Sequence, residues 1–214
     1  MGGWPVKEYV DGWVDGWTRS RETSRPEPVD GGWYVATRRE QEHGRFVLSE
    51  PTPERVAAIV DEGQPPLTFV KLPGEPDEWL PRFGEGWQPD HAGWFMTRTL
   101  GRPPGRRPPT GYEVAVEEAP RLAVAQVRAP EGNVVCSGRM GLGESYAVAD
   151  QIVTDERHRR LGLGTVVMAA LERYALEAGL ERAVLGATED GRGLYERLGW
   201  DVGSPLTAVC YRPG

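Results

Sequence analysis

The segment Asp155-Glu-Arg-His-Arg159-Arg160-Leu161-Gly162-Leu163-Gly164-Thr165 holds the residues best suited to chemistry in this chain. It leads into a run in which Val167, Ala170, Leu171, Tyr174 and Ala178 recur at three- and four-residue spacing, which predicts a helix over about 163–178. The first turn of a helix presents backbone N–H groups with no partner inside the helix, at the positive end of its dipole. Glycines at 162 and 164 keep a Cβ from standing between a ligand and that backbone. Such a turn suits a phosphate or pyrophosphate, and it equally suits a purely structural strand-to-helix connection. It is not the dinucleotide fingerprint, which needs a third glycine three positions on, nor a Walker loop, which needs Gly-Lys-Ser/Thr.

Strands and helices must hold that turn in place. A strand over Tyr146–Thr154 precedes it, Gly179 closes the helix, and a strand over Arg182–Ala187 follows. A short helix over Arg192–Leu198 and a last strand over Thr207–Tyr211 complete this part. Upstream, Tyr112–Glu117 alternates as a strand, and Arg121–Arg128 with Asn133–Met140 forms a hairpin. The Pro/Arg-rich stretch 99–111 breaks the chain, since neither helix nor central strand can run through its prolines. Its three arginines, Arg102, Arg106 and Arg107, read as a solvated linker ahead of an anion patch. Before it, strands are expected at 32–38, 45–49, 67–71 and 93–98, with a short helix over 76–83. A helix is expected at 52–62, with Thr52 as N-cap, Pro53 in its first turn and Gly63 past its end. Residues 1–31, polar and punctuated by Gly and Trp, receive no element. The division is an N-terminal α/β unit (1–98), a linker (99–111) and a second unit (112–214).

Arg159-Arg160-Leu161-Gly162-Leu163-Gly164 resembles the Arg/Gln-x-x-Gly-x-Gly/Ala signature of the GCN5-related N-acetyltransferases. Leu194-Tyr195-Glu-Arg-Leu-Gly199-Trp200 resembles that family's Leu-Tyr-x-x-x-Gly-Phe segment, in the expected order along the chain. The resemblance covers about residues 110–212. It implies an α/β (α+β) fold with a mixed, mostly antiparallel sheet, and acetyl-CoA as co-substrate. Backbone amides of Arg160, Leu161, Gly162, Leu163, Gly164 and Thr165 would hold the pyrophosphate, with Arg159 opening the motif. The edge of the strand ending Ile152-Val153-Thr154 would hold the pantetheine arm and place the thioester. Tyr195 resembles the family's general acid, which protonates the departing thiolate, a suitable task for a phenol of reference pKa ~10. It also reads as a core aromatic; Trp200 reads as packing.

A carboxylate that relieves an ammonium acceptor of its proton has two candidates. Asp150 sits among apolar residues in the thioester-side strand, and Glu144 lies in the turn before it. His158 reads as surface lining. Two departures from the family stand out. Thr188 occupies the place of an asparagine seven residues before the tyrosine. Family members also place two helices between their first and second strands, whereas Glu117-Glu-Ala-Pro-Arg121 leaves no room for one. The N-terminal unit is therefore expected to wall the acceptor pocket, as a degenerate second copy of the fold that binds no coenzyme.

Composition narrows the alternatives. The 214 residues are 39% hydrophobic, enough for a packed core, and carry a formal charge of −7, which disfavours a general nucleic-acid binder. No apolar run is long enough to span a membrane, and Met1-Gly2-Gly3-Trp4-Pro5 carries no secretory pattern, so a cytoplasmic protein is expected. Cys136 and Cys210 have no metal-ligand spacing, and no metal site is expected. Seven of the eight tryptophans lie in the first 94 residues; Trp33, Trp87 and Trp94 are candidates for an aromatic acceptor wall, the others for core. All but two of the 25 basic residues are arginines, the exceptions being Lys7 and Lys71. The expectation is an N-acetyltransferase acting on a primary amine, most simply a small molecule, by direct attack in a ternary complex. The rival is a non-catalytic acyl-CoA-binding module whose N-terminal half binds a partner.

Overall fold

The computed structural model describes residues 4–101 and 106–214. Arg102, Pro103 and Pro104, at the centre of the expected hinge, lie outside the described residues. The chain opens with α1 (Val6–Arg21), then β1 (Glu27–Val29), β2 (Gly32–Val35), β3 (Gly44–Leu48), α2 (Pro53–Asp61), β4 (Thr68–Pro73), α3 (Pro76–Trp79), β5 (Trp87–Pro89) and β6 (Gly93–Thr99). After the linker come β7 (Glu113–Ala119), β8 (Leu122–Arg128), β9 (Val134–Leu142), β10 (Ala147–Thr154), α4 (Leu163–Glu177), β11 (Arg182–Thr188), α5 (Glu189–Arg197) and β12 (Asp201–Tyr211).

Eleven strands run in the order β1-β2-β3-β4-β12-β6-β11-β10-β9-β8-β7, and β5 adds to β12. The pairs β3–β4 and β10–β11 are parallel and the others antiparallel, so the mixed, mostly antiparallel sheet is as expected. Each half repeats one unit, a strand, a helix and a parallel strand: β3-α2-β4 and β10-α4-β11. Each half is completed by the other's last strand. β6 pairs with β11 from Gly93 to Thr99, and β12 pairs with β4 from Leu206 to Cys210. The two stretches on either side of the linker thus build one sheet.

α1 corrects the blank left at residues 1–31. Its side chains Tyr9, Val10, Trp13, Val14 and Trp17 are buried in one cluster with Val35 and Val47 from one end of the sheet and Val148 and Val184 from the other. The sheet therefore curls around α1. Burial of each of these large side chains contributes roughly 1.5–3 kcal/mol. α2 and α3 pack on the opposite face through Val56, Ile59 and Trp79, and α4 with α5 through Val167, Leu171 and Tyr195. β7 and β8 form a direct hairpin, pairing Ala119 with Leu122. The face that two helices would cover is taken by α1. A Cβ on Gly141 would stand 2.0 Å from the carbonyl oxygen of Gly16, and one on Gly16 would stand 2.3 Å from Cγ2 of Val148. Helix and strand backbones touch there.

Candidate functional site

β10 and β11 pair only at Ala147–Ala183 and Val148–Val184, then diverge. Gln151 has φ 53°, and the register against β9 shifts between Asp150 and Val153, so a bulge bends β10 where the opening begins. From Ala149 on, the edge of β10 that faces β11 has no strand partner among the described residues, and it includes the predicted Ile152, Val153 and Thr154. Beyond Thr154, Asp155 caps a short 3-10 turn (Glu156–His158) by accepting from the Arg157 N–H at 2.9 Å. Tyr112 and His158 share a hydrogen bond at 2.9 Å, which gives His158 a structural partner.

The turn into α4 has the geometry of an anion cradle. Arg160 (φ 62°) and Gly162 (φ 77°) lie in the left-handed region. The first intrahelical-type bond runs from the Val166 N–H to the Gly162 carbonyl at 3.2 Å, which leaves the amides of Leu163, Gly164 and Thr165 at the open end. A Cβ on Gly164 would stand 3.2 Å from Leu194 of α5, so this glycine lets α5 pack closely. A Cβ on Gly162 would stand 3.4 Å from Nη2 of Arg106. One arginine of the linker thus hangs over the helix terminus, although the linker reads from sequence as merely solvated. Arg159 and Leu161 are exposed beside it. The corresponding turn of the N-terminal half begins Thr52-Pro53; Thr52 Oγ1 accepts from the Arg55 N–H at 3.3 Å, and Pro53 has no N–H to offer. That turn spends one donor on its cap and has none at Pro53, which leaves it fewer free amides than the start of α4.

Tyr195 of α5 is 8% exposed, lies in the core cluster that includes Leu163 and Ala187, and meets the ring of Trp200 edge-on at 6.1 Å. Burial pushes its phenol far above the ordinary value, and the charges of Asp150 and Cys136 act in the same direction. A tyrosine so placed stays protonated throughout the neutral range and can donate a proton, not accept one. Thr188 caps α5, accepting from the Gly191 N–H at 3.2 Å. Where the family's asparagine is replaced, the side chain thus starts the helix that carries Tyr195. Both cysteines are buried, and burial raises both thiols, so neither is a ready thiolate nucleophile.

The two carboxylates part company. Asp150 accepts from Arg21 through Nε and through Nη2 (3.0 Å), and from Ser20 Oγ at 2.9 Å. A carboxylate committed to three donors orients its partners more readily than it shuttles protons. Glu144 lies in the turn before β10, its N–H donating to Asp15 of α1 at 2.8 Å, whereas Asp150 meets Ser20 and Arg21 at the C-terminal end of that helix. Glu144 lies in a surface cleft of about 400 Å³ with Glu8, Asp11, Asp15, Trp33 and Tyr146. That cleft is at the far end of α1 from the opening, and its acids are already paired, Glu8 with Arg182, Asp11 with Lys7 and Asp15 with Arg19. Trp94 donates to Glu189 at 2.8 Å and carries Arg192 over its ring, while Trp87 packs on Phe83 and Tyr211. Both are explained by packing.

The structure brings together the α4 turn, the free edge of β10, Tyr195 and Asp150; it leaves Glu144 apart. Ser20 and Arg21 were missed from sequence, and Arg106 was weighed with its neighbours as an anion patch but read as solvated linker. α1 had a readable signal in the spacing of Tyr9, Trp13 and Trp17, whereas nothing in the Pro/Arg stretch singles out Arg106 from its neighbours.

The sequence profile of the Acetyltransferase (GNAT) family matches residues 77–200. It starts well before the resemblance read at about 110 and takes in β6, the strand that completes the second half. No curated protein matches the chain by sequence. Among solved structures, a GCN5-related N-acetyltransferase from Kribbella flavida superposes with a TM-score of 0.71 at 16% identity, covering 100% of this chain and 97% of that one. One from Sphaerobacter thermophilus gives 0.62 at 13%, covering 86% and 78%. A tandem GNAT protein from the clavulanic acid biosynthesis pathway gives 0.55 at 11%, covering 98% and 95%. At these identities the likeness is one of fold.

Proposed function

The chain belongs to the acetyltransferase (GNAT) family, and from that premise we propose that it transfers an acetyl group from acetyl-CoA to the primary amine of a small molecule by direct attack in a ternary complex. One observation carries the reading. The parallel pair β10–β11 opens onto a helix start with free amides, and a buried, protonated tyrosine stands beside the opening. The amides of Leu163, Gly164 and Thr165 would take the pyrophosphate, and the free edge of β10 the amide-bearing pantetheine arm. Tyr195 would return a proton to the departing thiolate, so that the C–S bond breaks as the C–N bond forms. Neither cysteine is suited to an acyl-enzyme, which supports direct attack. Thiol release from acetyl-CoA against a panel of amines tests the reading. Coenzyme binding without turnover on any acceptor would favour the non-catalytic module.

Two further results are expected. Arg106→Ala should weaken coenzyme binding about tenfold in calorimetry, in line with the loss of one charge-assisted contact, and the effect should shrink in high salt. An unchanged Kd at low salt would show that Arg106 only covers the turn. Asp150→Asn should lower stability by about 2 kcal/mol, because it leaves the half-buried guanidinium of Arg21 without its charge partner. If Asp150 were instead the catalytic base, kcat would collapse with thermal stability unchanged.

A further inference from the structure

Near the C-terminal end of α1, the face of the sheet turned toward that helix carries a cluster of charged side chains. Strand alternation places Arg45, Val47, Phe69, Lys71, Ala208 and Cys210 on the α1 face. Arg45 fixes the location, since its guanidinium lies 4.4 Å from the ring centre of Trp17 on α1 and 5.5 Å from that of Phe69. The cluster lies near Asp150, whose charge acts on both Arg45 and Lys71. Three of its cations have acidic partners: Arg45 with Glu42 at 2.9 Å, Arg212 with Asp90 at 3.7 Å, and Arg21 with Asp150. Lys71 has no carboxylate within ion-pair distance among the described residues, although it sits between Val47 of β3 and Ala208 of β12 and keeps only partial contact with solvent. A cation so enclosed and unpaired is costly, so it either gives up its proton or pairs with an anion from outside the chain.

We infer that Lys71 anchors a carboxylate on the acceptor, so that the molecule acetylated is an amino acid or another amine that also bears a carboxylate. With Lys71 protonated, the cluster holds one positive charge beyond its three ion pairs, which matches a monoanion. Lys71 and Arg45 together repel a bare ammonium, so an amine without the carboxylate is the poorer acceptor. The identity of the occupant as acceptor rests on the acyl-transfer reading above; the carboxylate site does not. The state of Lys71 agrees. Burial, and next the charge of Arg45, pull its ammonium from 10.5 down to about 7, against the opposing charges of Asp90, Glu42 and Asp150. A bound carboxylate would restore the proton.

The chain has two lysines, so protein labelled with 13C at lysine Cε gives two resonances, and Lys7→Arg assigns them. The Lys71 signal is expected to titrate near 7 in the free protein, and upward by at least ~1 unit when a saturating amino acid is present. The decarboxylated amine should not move it. In steady-state assays Lys71→Met should raise KM about tenfold or more for the amino acid, with kcat and the KM of the decarboxylated amine little changed, and Lys71→Arg should retain most of the affinity. A midpoint that no carboxylate-bearing amine moves would overturn the inference. So would an equal loss on both acceptors, which would make Lys71 part of the proton-transfer machinery, and so would tighter binding of an aminoalkyl phosphate than of the carboxylate. If the resonance moves with the amino acid while no acceptor releases thiol, the carboxylate site stands and the acetyl-transfer reading falls.

Discussion

Tyr195→Phe is expected to lower kcat for acetyl transfer by about 10²–10³-fold while Kd for acetyl-CoA stays within about twofold. The substitution removes one hydroxyl and keeps the buried ring that meets Trp200 edge-on in the core, so melting temperature should hardly change. The phenol is raised by burial first and by the charge of Asp150 second. It therefore remains protonated at neutral pH, and no pH-dependent loss of its acid form limits the rate there. What the variant lacks is a donor for the sulfur at the moment the C–S bond breaks. Single-turnover thiol release at saturating acceptor isolates that step from coenzyme binding. A kcat within about threefold of the parent would return Tyr195 to the role of core aromatic and remove the main support for catalysis.

The turn into α4 was legible because its information is local. Two glycines, a cluster of arginines and the apolar spacing of Val167, Leu171 and Tyr174 lie within one stretch of chain. The cap of α2 was legible for the same reason, since Thr52 and Pro53 act on their own helix. α1 was obscured by Gly12 and Gly16, which lower helix propensity and suggest a loop. Both glycines answer to distant parts of the chain: a Cβ on Gly12 would strike the ring of Tyr146, and one on Gly16 would strike Val148. β12 runs from Asp201, six residues before the expected start at Thr207, and contains Gly203 and Pro205. These read as breakers, yet the strand absorbs them through a register shift between Val202 and Ser204. The exchange of β6 and β12 and the commitment of Asp150 to Arg21 depend on pairings far apart in sequence, and no local pattern encodes them.

Removing residues 1–98 is expected to abolish folding, and not only acetyl transfer. The deletion takes all but the last residue of β6 from between β11 and β12, leaving two unpaired edges in the middle of the sheet. It also strips α1 from Val148 and Val184 and leaves Asp150 without Ser20 and Arg21. Circular dichroism and heteronuclear NMR on residues 99–214 should show no cooperative transition, and a folded fragment would mean that the second half closes its own sheet. A point substitution separates the wall from the strand. In Gly141→Val the new Cβ meets the backbone of Gly16 and lies 2.7 Å from the Ser20 nitrogen, so α1 must lift away while β6 keeps its place. The expected cost is about 3 kcal/mol, or roughly 6–12 °C in Tm for a chain of this size. Because Ser20 and Arg21 move with the helix, transfer should fall more steeply than coenzyme affinity, whose contacts lie on α4 and the edge of β10. Equal losses in both would place the acceptor elsewhere than the charge cluster at the end of α1.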